Sequence, residues 1–135
     1  MKRSGEKMYS YVHFEKELTP SYHKAIKLKK HSREVGDVFI ETTFKLLKKV
    51  DEEITEKDIE KIIFTPEKDK KWELKPSLQK KVQEKMDTSD LDAIISRFAK
   101  EAYKWHEHIV QKDEDNEFFN ATGKGELGKG VVNGK

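Results

Sequence analysis

The residues in this sequence whose types and spacing could do chemistry are mainly cations. The densest group lies in residues 23–33, where no acidic residue occurs: Lys24, Lys27, Lys29, Lys30 and Arg33. A helix carrying such a run attracts phosphate groups through release of their counterions, and Tyr22 could stack on a base. The sequence therefore predicts a nucleic acid or another acidic partner, bound by Tyr22, Lys24, Lys27, Lys30 and Arg33.

The same run is also explained as a solvated face of a lysine-rich protein. The formal net charge is only +2, whereas dedicated nucleic-acid binders are usually strongly basic. Both interpretations stay open at the level of sequence.

A metal site is a second alternative, because helical bundles can hold ions between carboxylates and histidines on facing helices. The candidate ligands are His31, Glu34, Glu101 and His108, although no Glu-x-x-His spacing occurs. His106 and His108 are two residues apart and so point in different directions on a helix. We therefore predict no metal and no cofactor, and keep a helical metal-binding protein as an alternative hypothesis.

No catalytic constellation is evident in the sequence. The chain has no cysteine, which excludes disulfides, thiolate zinc sites and cysteine nucleophiles. No serine has the flanking glycines of a nucleophile elbow. The Gly-Lys-Gly repeats after residue 122 lack the strand, helix and Ser or Thr of a phosphate loop. We predict a non-enzymatic interaction protein.

The aromatic and aliphatic residues outside the regular stripes suggest a third possibility, a protein-protein adaptor or a subunit of a homo-oligomer such as a homodimer. Interfaces of this kind use exposed apolar side chains. The candidate contact residues are Trp72, Leu74, Phe118 and Phe119.

Composition predicts one domain in a cytoplasmic protein. The chain has 135 residues, of which 34% are hydrophobic and 40% charged, enough for one narrow core. No run of residues has the length and apolarity of a membrane span or a signal peptide, so we expect no membrane association. Lysine far outnumbers arginine and glutamate is abundant, a composition that fits a thermophilic source and equally an AT-rich genome.

Helix signals organise the first half of the chain. Thr19-Pro20 predicts the start of a helix that runs to about Val50, with a break between His31 and Asp37 caused by Gly36. Thr55 and Asp58 predict a capping box and a helix to Phe64, which Thr65-Pro66 ends.

The second half begins with a helix at Pro76, and Ser89 is the predicted cap of the last helix. That helix carries the most regular apolar stripe in the chain, formed by Leu91, Ile94, Ile95, Phe98, Ala102, Trp105 and Ile109.

Together these signals predict an all-α fold of four to five helices, in an antiparallel bundle or an orthogonal helical domain. The expected parts are an extended N-terminal arm (1–18), a helical domain (19–112) and a disordered tail (113–135) that is first acidic and then glycine-rich.

Overall fold

The structure is a computed structural model that describes the backbone of residues 9–122 and the side chains of residues 9–112. Residues 1–8 of the expected arm and 123–135 of the expected tail lie outside the described part. The described chain contains, in order, α1 (Val12–Lys27), α2 (Ser32–Val50), a 3₁₀ helix (Glu56–Lys61), β1 (Ile62–Phe64), β2 (Trp72–Leu74), α3 (Pro76–Thr88) and α4 (Leu91–Thr122). The fold is mostly helical, as the sequence predicts, and because of the small two-stranded sheet the description "all-α" holds only approximately.

Helix α1 begins at Val12 rather than at Thr19, so the predicted start is wrong and Pro20 lies inside the helix. The helix tolerates this proline, which is exposed and removes only one backbone donor. Its true start depends on distant residues. The carboxylate of Asp90 accepts hydrogen bonds from the Tyr11 N–H (2.8 Å) and the Ser10 hydroxyl (2.7 Å).

The break between α1 and α2 lies at residues 28–31, just before the predicted segment. Gly36 is buried inside α2 and does not interrupt it. A Cβ atom at this position would lie 3.0 Å from Cδ2 of Phe64. The glycine therefore permits close packing of the β1 strand against α2.

Side-chain contacts show that α1 runs parallel to α4. Glu15, near the start of α1, forms a two-pronged ion pair with Arg97, with N···O distances of 2.7 and 2.8 Å. Two turns further along α1, His23 contacts Glu101. From the first contact to the second, the residue numbers increase along both helices, so α1 and α4 point in the same direction.

Helix α2 lies antiparallel to α1, because Lys49 near its end is 3.2 Å from Glu17 near the start of α1. It makes its most extensive contact with α4. The core fills the space among these three helices and is centred on Tyr22, Ile26, Phe39, Leu46, Leu47, Leu91, Ile94, Ile95 and Phe98, all nearly fully buried.

The segment after α2 was predicted to be a helix as far as Phe64, and that prediction is wrong. Only a 3₁₀ turn forms, and the chain continues as β1, which pairs antiparallel with β2. Ile62, Ile63 and Phe64 are residue types that favour strands. The hairpin places the Trp72 ring in the core. The stability gained by burying this ring cannot be read from local helix signals.

The starts of α3 and α4 are confirmed. Pro76 is the first residue of α3, and the Ser89 hydroxyl accepts a hydrogen bond from the Leu91 N–H at the start of α4 (3.1 Å). The predicted stripe of α4 is buried, except that Trp105 is half-buried. The backbone of α4 continues to Thr122, beyond the boundary predicted at residue 112. No helix in the described residues is long and apolar enough to cross a membrane.

The predicted capping box also forms, and it contains a buried carboxylate. Asp58 accepts hydrogen bonds from the Thr55 N–H (3.0 Å), Lys81 (2.8 Å) and Lys61 (3.2 Å). Burial alone would raise the pKa of Asp58, but these three donors outweigh it and lower the pKa to about 2. The interaction joins the 3₁₀ helix to α3.

Asp58→Asn should lower the free energy of unfolding by roughly 2 kcal/mol at pH 7, because the depressed pKa stabilises the folded state above pH 4. That stabilisation is lost as the pH falls through the folded pKa, so the difference from the native protein should shrink between about pH 4 and pH 2. Urea unfolding across this range measures it. The exposed Asp69→Asn is the control. A difference that does not vary with pH would contradict the assignment.

Gly36→Ala should destabilise the protein, although alanine favours helix over glycine by about 1 kcal/mol. The added methyl group would press on the Phe64 ring, whose centroid lies 5.5 Å from that of Phe39 and 6.0 Å from that of His106. In a Phe64→Ala background the same substitution should stabilise. Thermal unfolding of the four proteins measures both effects, and the same sign in both backgrounds would refute the packing role.

Candidate anion-binding cleft

A cleft of about 470 Å³ lies between the end of α1 and the middle of α4. Its walls carry four cations, one carboxylate and two apolar side chains: Lys27, Arg97, Lys100, Lys104, Glu101, Ile26 and Trp105. We call it the α1/α4 cleft.

The spacing of residues on α4 explains how the cleft forms. Arg97, Lys100, Glu101, Lys104 and Trp105 occupy positions i, i+3, i+4, i+7 and i+8, which share one face of a helix. Because α1 ends at Lys27 and the chain then turns into α2, α1 does not cover this face of α4 beyond that point. The exposed corner is the cleft.

Three of the four cations have no ion-pair partner among the described residues, namely Lys27, Lys100 and Lys104. The fourth, Arg97, is paired with Glu15. The repulsion between these unpaired lysines is weak in water. Their combined positive potential attracts anions to the cleft.

The carboxylate of the cleft is already partly engaged. Oε2 of Glu101 contacts Nδ1 of His23 on α1, and both side chains are partly exposed. This contact links Glu101 to α1, and four cations against one carboxylate leave the lining of the cleft with an excess of positive charge.

The apolar wall consists of Ile26, which is buried, and Trp105, which packs against the core. The Trp105 ring stacks on His108 with centroids 5.0 Å apart. Its Nε1 atom is buried and has no acceptor within the described part of the chain. The cleft thus combines an aromatic surface with a cationic rim.

The prediction that Tyr22 stacks on a ligand is wrong. Its side chain is 1% exposed, its ring lies edge-on to Phe98, and its hydroxyl donates to the Phe98 carbonyl. Burial, with the charge of Glu101, raises the pKa of Tyr22 above its usual range. Tyr22 is a structural link between α1 and α4.

The predicted cationic residues are all exposed, but they do not form one helical face. Lys24 and Lys27 lie in the last turn of α1, Lys30 in the following turn, and Arg33 on α2. Only Lys27 lines the α1/α4 cleft, and Arg33 borders a separate groove with Phe64. The turn at residues 28–31 divides the run.

The adaptor surface predicted from Trp72 and Leu74 is also wrong for these two residues, which are 2% and 9% exposed. The Trp72 indole donates to the Ser96 hydroxyl (3.0 Å) and supports the core. The side chains of Phe118 and Phe119 lie outside the described residues.

The alternative metal ligands are not brought together. Across the side chains that the structure describes, no group of three or more histidines and carboxylates could hold an ion. Of the four candidates, Glu101 contacts His23, and His108 stacks on Trp105. His31 precedes α2 and Glu34 lies in its first turn.

Sequence reasoning missed Arg97, Lys100 and Lys104 as site residues. The signal was present as a polar stripe at helical spacing beside the apolar stripe of α4. It is visible as a site only when the position of α1 is known, because the α1 terminus supplies the opposite wall.

Comparison of the chain with family models, with curated proteins and with solved structures gave no match. The cleft is therefore interpreted from its own geometry and charge.

Tyr22→Phe should lower the free energy of unfolding by about 1 kcal/mol, because it removes one buried hydrogen bond to the Phe98 carbonyl. Nucleic-acid affinity should stay unchanged, because the ring is not exposed. Urea unfolding and an anisotropy titration test the two statements. Weaker binding without any loss of stability would restore Tyr22 as a contact residue.

Proposed function

We propose that this chain is a non-enzymatic nucleic-acid-binding protein that contacts phosphates with the rim of the α1/α4 cleft. The observation that carries the proposal is the convergence of Lys27, Lys100 and Lys104 from two helices, with no acidic partner for any of them in the described chain. Nucleic-acid backbones supply closely spaced negative charges that suit such a rim.

The local charge matters more here than the total. The net charge of +2 gives no strong overall attraction to a polyanion, but cations gathered at one cleft attract it locally. Acidic residues elsewhere are often paired with lysines, as in Glu17 with Lys49 and Asp58 with Lys81. Pairing therefore offsets the charge of these particular lysines, whereas Lys27, Lys100 and Lys104 have no such partner among the described residues and lie together at one cleft.

Cations next to the cleft can extend the contact along a strand. Lys24 lies one turn before Lys27 on α1, and Lys30 lies in the turn that follows. The carbonyl end of α1 carries a partial negative charge that would repel phosphate, and Lys24 and Lys27 compensate for it. Lys24 and Lys30 therefore extend the cationic surface beyond the cleft itself.

A binding role suits the chemistry of the cleft better than a catalytic one. Its described lining has no hydroxyl, thiol or imidazole group that could act as a nucleophile or as a histidine base. Its one carboxylate, Glu101, is held by His23 at the rim of the cleft. Recognition by charge and stacking needs none of these groups.

The triple variant Lys27→Ala, Lys100→Ala, Lys104→Ala should bind single-stranded RNA and DNA more weakly and with a flatter dependence on salt. Each lost phosphate contact lowers the slope of log K against log salt by about 0.7, so three contacts lower it by about 2. Fluorescence anisotropy with labelled strands, at low and near-physiological salt, measures the slopes.

The matched control is Lys45→Ala, Lys57→Ala, Lys80→Ala, which removes the same charge from exposed lysines that do not line the cleft. Circular dichroism establishes that both variants are folded. Equal slopes for the two triple variants would show that binding depends on total charge and would reject the cleft as the contact site.

A further inference from the structure

We infer that the α1/α4 cleft holds a single nucleotide unit, with its base against Trp105 and its phosphate on the lysine rim. The inference rests on the proposed function and adds the ligand class: an unpaired nucleotide, either free or exposed in a single strand. A base paired inside a duplex is not available to such a cleft.

The size of the cleft suits one nucleotide. Its volume of about 470 Å³ lies within the roughly 300–1,000 Å³ of typical small-molecule sites. A bare phosphate would occupy a small part of this space and leave the apolar wall unused. A duplex would contact the rim only.

The apolar wall gives the cleft a reason to prefer a base over a simple anion. The half-buried Trp105 presents an aromatic surface beside the cations, and the buried Ile26 lies behind it at the base of the cleft. Stacking of a base on an aromatic ring, with phosphate held by nearby cations, is the usual way in which proteins bind single-stranded nucleic acids. An acidic peptide would use the lysines but would place a planar ring against the indole only where it also carried an aromatic residue, whereas every nucleotide has a base beside its phosphate.

Glu101 fixes which part of the nucleotide goes where. Its carboxylate would repel a phosphate placed beside it, whereas Oε1, which makes no described hydrogen bond, can accept an N–H from the edge of a base. Lys100 and Lys104 are one residue before and three residues after it on the same helix. The base therefore lies by Glu101 and Trp105, and the phosphate lies on the lysines.

The test uses the fluorescence of Trp105 in a Trp72→Phe variant, in which Trp105 is the sole tryptophan. The probes are adenosine monophosphate, ribose 5-phosphate, inorganic phosphate, oligoadenylate, an abasic strand of equal length and a duplex of equal length. We expect quenching by adenosine monophosphate and oligoadenylate, and none by the four other probes.

A second measurement does not require Trp105 to be the sole tryptophan. Trp105→Phe in the otherwise native chain keeps an apolar ring but reduces the stacking surface, and should weaken oligoadenylate binding about fivefold or more. Binding of the abasic strand should be unchanged. The control Trp72→Phe, at a residue buried away from the cleft, should alter neither affinity.

The outcomes separate the two proposals. Strands that bind with the expected salt dependence, but equally with and without bases and without quenching, would overturn the nucleotide site and leave the proposed function standing. Quenching by adenosine monophosphate without oligoadenylate binding would support the site with a free nucleotide as ligand and reject nucleic-acid binding. Absence of any binding at low salt rejects both. Oligoglutamate is a seventh probe, and quenching by it equal to that by adenosine monophosphate would also overturn the nucleotide site.

Discussion

The fold and the candidate site both depend on the parallel seating of α1 on α4. Three kinds of contact hold it: the Asp90 carboxylate at the start of both helices, the Glu15–Arg97 ion pair, and the buried Tyr22 hydroxyl on the Phe98 carbonyl. The ion pair is exposed at Arg97 and contributes little stability by itself, whereas the buried tyrosine contributes both packing and a hydrogen bond. This seating places the end of α1 opposite the cationic face of α4.

Sequence patterns predicted the elements whose signals are local. The apolar stripe of α4, the capping box at Thr55 and the proline at the start of α3 each require only neighbours within a few residues. The start of α1 could not be predicted in this way, because the Tyr11 N–H just before the helix donates to the Asp90 carboxylate, 79 positions away in the sequence. The hairpin was missed because its strands have three residues each and form through burial of Trp72.

The candidate site was likewise predictable only where its signals are local in sequence. The exposed lysines of residues 23–33 could be recognised from sequence, and Lys27 lines the cleft. The role of Tyr22 could not, because an aromatic residue beside lysines has the same sequence pattern whether its ring faces solvent or the core. The contribution of Arg97, Lys100 and Lys104 depends on where α1 ends, which is a property of tertiary packing.

The spacing of residues on α4 means that the stretch from Leu91 to Trp105 tolerates neither an insertion nor a deletion. One face from Leu91 to Trp105 completes the core while the adjoining face forms the cleft wall. A single inserted or deleted residue in this stretch would rotate everything beyond it by about 100°, and would displace lysines and core residues together. Homologous chains should therefore vary in length in the turn at residues 28–31 and in the hairpin loop at residues 65–71, and keep this part of α4 without gaps.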